Sequence, residues 1–122
     1  MVLVKEIQES MGIVLPQDGH TKPYLILRDR TDRMAYFYQV RDQVSSDREQ
    51  RDIYHLRKRF AAYGGSPGDV SHETLVRDIS RLTFTASGSG GVLVSLQVMS
   101  GGRDYTIFTL IRLKALYSLE AI

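Results

Sequence analysis

The chain has no cysteine among its 122 residues. Disulfides, thiolate metal sites and thiol nucleophiles are thereby excluded. Long apolar runs are missing too, and no segment approaches the roughly 20 residues a membrane-spanning helix needs. The opening MVLVKEIQESMG has no basic start followed by a continuous apolar stretch, so no secretory leader is expected in it. Internal repeats, low-complexity tracts and polar linkers are absent, and a single domain is the expectation. A cysteine-free chain fits the cytoplasm, the expected location, as it also fits many secreted bacterial proteins. No membrane association is expected.

What is present suits a soluble globular domain. Apolar residues make up 43% and charged residues 25%, both ordinary values. A chain of this length buries roughly two thirds of its unfolded surface, enough for a core without a metal. Net charge is +2, with a pI near 9.0. That is too weak by itself to imply a polyanion partner. The basic residues are 12 Arg against 4 Lys. The planar guanidinium fork suits phosphate and carboxylate, and protein interfaces favour Arg as well.

Periodicity places the elements. Leu3, Ile7 and Met11 recur at helical spacing, with Gly12 available to close that helix. IVLP then reads as a short extended piece and QDGHTKP as a loop. YLILRDRTDRMAYFYQVRD reads as a β-hairpin about the polar turn RDRTDR. Ser46 and Glu49 form an S-x-x-E capping pattern, and Gly64-Gly65 offers a left-handed stop. A helix over about 47–63 is therefore expected. Its core stripe is Ile53, Leu56, Phe60 and Tyr63, and Arg48, Arg51, His55, Lys58 and Arg59 lie opposite. Ser71 caps a second expected helix over about 72–83, with Leu75, Ile79 and Leu82 inward.

The clearest element is GVLVSLQVMSGGRDYTIFTLIRL. Gly101-Gly102 is a two-residue turn that calls for positive φ. Folding about it sets Val98 opposite Tyr105, Leu96 opposite Ile107, Val94 opposite Thr109 and Val92 opposite Ile111. The other face is mixed, with Leu93, Phe108 and Leu110 among polar neighbours, which predicts cover by a helix or a partner. The tail KALYSLEAI extends the strand or forms a short helix. The expected class is α+β, in the order α-ββ-αα-ββ, with an antiparallel sheet covered on one face by helices.

Candidate sites follow from this layout. The basic helix face of Arg48, Arg51, His55, Lys58 and Arg59 is a candidate surface for nucleic acid. Arg28, Arg30 and Arg33 in the first hairpin turn extend it if the fold brings the two together. Against this, Asp47 and Asp52 stand four residues from Arg51 and Arg48 and neutralise part of the charge. Cations near a helix C-terminus also have a structural role with the macrodipole. Tyr36 and Tyr38 offer stacking platforms for bases. Asp29 or Asp32, followed by Gln39 and Arg41 on the next strand, resembles a divalent-metal nuclease pattern. Arg41 occupies the place of the Lys, however, and Arg does not give up its proton. SGSGG follows a helix and opens a strand, the reverse of a phosphate-binding glycine motif. His20, His55 and His72 have no shared ligand spacing, so no metal or cofactor is expected. Ser71-His72 are sequence neighbours that would not face one another on a helix.

ETLVRDISRL, SGSGGVLVSLQV and GGRDYTIFTLIRLK together resemble the N-terminal part of bacterial nucleoid-associated proteins, with Gly91, Leu93, Tyr105 and Lys114 as the matching points. The resemblance spans residues 70–118 and implies DNA association without catalysis. The leading expectation is thus a non-enzymatic module that binds nucleic acid through its basic helix face. The alternative is a protein-interaction subunit, a homo-oligomer or part of a larger complex, that uses Leu93, Phe108 and Leu110. A degenerate nuclease-like domain comes third.

Overall fold

The computed structural model describes residues 2–29, 31, 33–61, 72–88 and 90–114. The elements run α1 (Val2–Gln8), β1 (Gly12–Leu15), β2 (Thr21–Lys22), β3 (Leu25–Arg28), β4 (Met34–Arg41), α2 (Gln43–Glu49), β5 (Tyr54–Ala61), β6 (His72–Ser87), β7 (Gly91–Ser100) and β8 (Arg103–Arg112). All strands join one antiparallel sheet in the order β1-β3-β4-β5-β6-β7-β8, with β2 added alongside β6. The class is α+β, but the expected order of helices and hairpins is not found. Residues 54–61 and 72–87 are strands where helices were expected. The segment that the family resemblance makes a leading helix is therefore strand β6. Gly64-Gly65, Ser71 and the tail after Lys114 lie outside the described residues.

One face of the sheet carries the core. Register places Ala35, Phe37, Leu56, Leu82, Phe84, Val92, Val94 and Leu96 on this side, all buried. Helix α1 adds Leu3 and Ile7, one turn apart and both buried in the same cluster as Ile111 and Leu113. The helix stops early. Ser10 donates its hydroxyl to the Ile7 carbonyl, and the Met11 N–H bonds the Arg28 carbonyl. Gly12 is thus the first residue of β1 rather than a helix stop, and Met11 is exposed.

The β7–β8 hairpin has the expected register, Val98↔Tyr105 through Val92↔Ile111. Gly101 and Gly102 both have positive φ, +58 and +77, as the mirror-image turn requires.

Helix α2 is shorter and earlier than expected. Asp42 is its N-cap, accepting from the Ser45 N–H and hydroxyl. Ser46 does not cap the helix. It is buried in it, donating to the Ile53 carbonyl at 3.1 Å and accepting from the Ile53 N–H at 2.9 Å. Gln50, at φ +55, ends the helix, and its N–H returns to the Ser46 carbonyl. The chain is thereby turned into β5.

β6 changes partners along its length. Its first half pairs with β5 and its second half with β7 and β2. The change is made at irregular pairings between Thr74 and Arg81. There Asp78 takes φ +59, and Ser80 donates to the Gln97 carbonyl at 3.1 Å. Extra residues of this kind bend a strand and increase its twist.

Candidate functional site

Strand β8 is the last strand of the sheet, and among the described residues nothing pairs with its outer edge. It is ten residues long and almost wholly exposed on both faces. Phe108 is 66% exposed, Tyr105 52%, Leu110 45% and Ile107 41%. Register puts Leu93, Phe108 and Leu110 on one face, as expected, with Leu93 half-buried opposite Leu110. Tyr105 and Ile107 lie on the core face, where they remain exposed. The turn fixes which backbone groups are free. In a two-residue hairpin the closing pair, here Ser100↔Arg103, is hydrogen-bonded, and bonding alternates from there. The N–H and C=O groups of Asp104, Thr106, Phe108, Leu110 and Arg112 therefore point away from β7, to the open edge.

The basic residues do not form the expected surface. On a strand, alternate side chains take opposite faces, so Lys58 separates from Arg57 and Arg59. Lys58 pairs with Phe37 in register and points into the core side. It is 5% exposed, bonded to Glu6 of α1, with its ammonium 4.1 Å from the Phe60 ring centroid. Arg51 forms a two-bond ion pair with Asp104 of β8, at 2.9 and 2.6 Å. Arg48 meets Glu49, and Arg33 meets Asp29. Arg28 is exposed at the end of β3, and Arg30 lies outside the described residues.

His55, Arg57 and Arg59 do share a face, the one opposite the core, beside Tyr36 and Tyr38. Arg59 lies over the Tyr36 ring, 4.8 Å from its centroid. His55 Nδ1 and Arg57 Nε are buried atoms with no hydrogen-bond partner. Arg57 was absent from the helical grouping. Alternation in YHLRKRFA was the signal that could have found it.

Three aspartates are held below their ordinary carboxylate value. For Asp42 the Ser45 N–H is the main cause, with the Ser45 hydroxyl second. For Asp104 it is the hydrogen bonds from Arg51, which in turn holds the Arg51 pKa up. For Asp29 burial pushes the value up, but the N–H groups of Arg33 and Thr31, the Thr31 hydroxyl and the Arg33 charge together outweigh it.

These bonds give Asp29 a structural partner, and the other described members of the nuclease-like pattern have theirs. Asp29 holds the β3–β4 turn through Thr31 and Arg33. Gln39 donates instead to the Pro23 and Leu82 carbonyls, and Arg41 to Asp52 and Gln43. Five residues of β4 beyond Met34, about 17 Å, separate the turn from Gln39. Asp32 lies outside the described residues. Among the described residues no cluster of His, Asp or Glu is placed to hold a metal. Nor is any helix long and apolar enough to cross a membrane.

The described surface also carries open depressions, of which two stand out. One, of about 450 Å³, is lined by Tyr24, Tyr38, Gln39, Tyr54 and Arg81 among others. The other, of about 500 Å³, lies between α1 and the β3–β4 turn, beside Lys58 and Phe60. No family model matches the chain, and no curated protein or solved structure shows significant similarity to it.

Proposed function

We propose that this chain is a non-enzymatic, soluble subunit of a protein assembly that makes its contact through strand β8. The observation that carries this reading is the ten-residue open edge with four large apolar side chains exposed along it. Proteins normally protect such edges by shortening them, charging them, bulging them or covering them. β8 has charges only at its ends, Arg103, Asp104 and Arg112, and no bulge against β7. Bare apolar patches of this kind mark interaction sites, and an extended partner strand would satisfy the outward N–H and C=O groups. The test is co-purification from the native host with two variants. Thr106→Pro removes one outward donor and leaves the β7 ladder intact, and Phe108→Lys charges the apolar face. Both should lose the partners that wild type retains. Retention of the same partners by both variants overturns the reading.

A second reading has its own support. His55, Arg57 and Arg59 beside Tyr36 and Tyr38 form a basic, aromatic strand face, a combination suited to single-stranded nucleic acid. It ranks second because Lys58, Arg51, Arg48 and Arg33 are already engaged by carboxylates. Binding that weakens steeply with salt, and that is lost in Arg57→Glu, would move it ahead.

A further inference from the structure

We infer that the occupant of the β8 edge is a second copy of this chain, paired antiparallel to the first about a two-fold axis at Phe108. This rests on the reading of β8 as an interface and specifies the partner and the register.

The backbone limits the choices. A two-fold axis perpendicular to the sheet keeps each face on its own side, so residues set opposite one another must belong to the same face. The outward-pointing groups belong to the even-numbered residues, so hydrogen-bonded pairs across the axis join even to even. That leaves only registers differing by steps of two.

Charge selects among them. Asp104 and Arg112 stand near opposite ends of β8 on one face. Centring on Phe108 sets Asp104 of each copy opposite Arg112 of the other, at both ends of the interface. Between them Thr106 meets Leu110, and Phe108 meets Phe108. Directly opposed unlike charges and aromatic pairs are favourable cross-strand combinations. Centring on Ile107 sets Asp104 opposite Leu110 and Arg112 opposite Gly102. Centring on Thr109 sets Arg112 opposite Thr106 and sends Asp104 to Lys114, outside the strand. Only the Phe108 register joins both charges and uses β8 from Asp104 to Arg112. Arg51 already donates two bonds to Asp104 and the Gln97 amide a longer third at 3.5 Å, but a carboxylate has about four acceptor positions. The second copy's Arg112 would complete it. The contact is self-complementary, as closed two-fold assemblies require.

The chain has no cysteine, so one introduced thiol can pair only with another introduced thiol. In the full-length protein, Thr106→Cys and Leu110→Cys chains are prepared separately, then mixed and oxidised. Hydrogen-bonded antiparallel pairs bring Cα atoms to about 5.5 Å, within disulfide range. The mixture should give a disulfide-linked dimer of one chain of each kind, and each variant alone should not. Wild type should sediment as a concentration-dependent dimer, and Phe108→Lys, folded by circular dichroism, as a monomer. Cross-linking of either variant with itself in preference to the mixture, or monomeric wild type at all attainable concentrations, overturns the inference. If wild type is monomeric yet Phe108→Lys strips other proteins that co-purify from the native host, the interface reading survives and the second copy does not. If Phe108→Lys changes neither, both fall.

Discussion

Lys58 of β5 and Glu6 of α1 form an ion pair on the buried side of the sheet, and the same ammonium lies over Phe60. A cation that the sequence pattern assigns to a wet surface is therefore part of the joint between helix and sheet. Lys58→Glu would set two carboxylates together there. Breaking one partner of a buried pair costs roughly 3–5 kcal/mol, and the partial exposure of Glu6 puts this change at the low end. Arg59→Glu, one residue on, should cost about 1 kcal/mol or less, chiefly the stacking on Tyr36. Denaturant titration of the two variants separates them, and equal effects would contradict the alternation of β5.

Leu96 and Ile107 face one another across the hairpin but are not equivalent, since Leu96 is buried and Ile107 is exposed. Leu96→Ala should cost about 2–5 kcal/mol. Ile107→Ala should stay within roughly 1 kcal/mol when measured on dilute monomer. A larger loss at Ile107 that grows with protein concentration would show the dimer being weakened instead.

Acid should loosen the molecule through Asp29, Asp42 and Asp104. All three carboxyls are lowered in the fold. Unfolding raises them, so the unfolded chain binds more protons in acid. Their contribution is fully present above the ordinary value of 3.8 and is lost as pH falls through the folded values beneath it. Melting temperature followed from pH 7 downward should fall mainly below about 4. Asp42→Asn should flatten that limb, and an unchanged limb in the Asp29, Asp42 and Asp104 triple amide variant would refute the assignment.

Asp78 sits at φ +59 where β6 changes partners. Aspartate tolerates this region and glycine does so freely. Asp78→Gly should be nearly neutral. Asp78→Val, β-branched and ill-suited to positive φ, should cost on the order of 1–3 kcal/mol. Equal melting temperatures for the two would mean that the bend is not held at this residue.

The same bend explains what the sequence concealed. β7 and β8 were legible because their alternation is unbroken and the glycine pair fixes the turn. In β6, Val76, Ile79 and Leu82 all face the core, yet they stand three apart. Each irregular pairing adds one residue to a period of two, and a bulged strand then carries the spacing of a helix. In β5 the tally was closer, because Leu56 and Phe60 are four apart and also share one strand face. The apolar spacing fitted both forms, and the choice of helix sent Lys58 outward. Of the candidate interface, Leu93, Phe108 and Leu110 could be read from alternation. That Tyr105 and Ile107 stay exposed could not, because alternation assigns a side chain to a face and does not say what covers that face.

Helix α1 meets β8, the first element of the chain against the last strand. Leu3 and Ile7 are buried in one cluster to which the last hairpin contributes Val92, Ile111 and Leu113. As the chain is synthesised, the part of that cluster supplied by Ile111 and Leu113 is missing until those residues have emerged. A helix of seven residues is too short to hold itself together in water. Helix α1 therefore completes its packing only after β8 has been made, and the interval rises with every pause in translation between them.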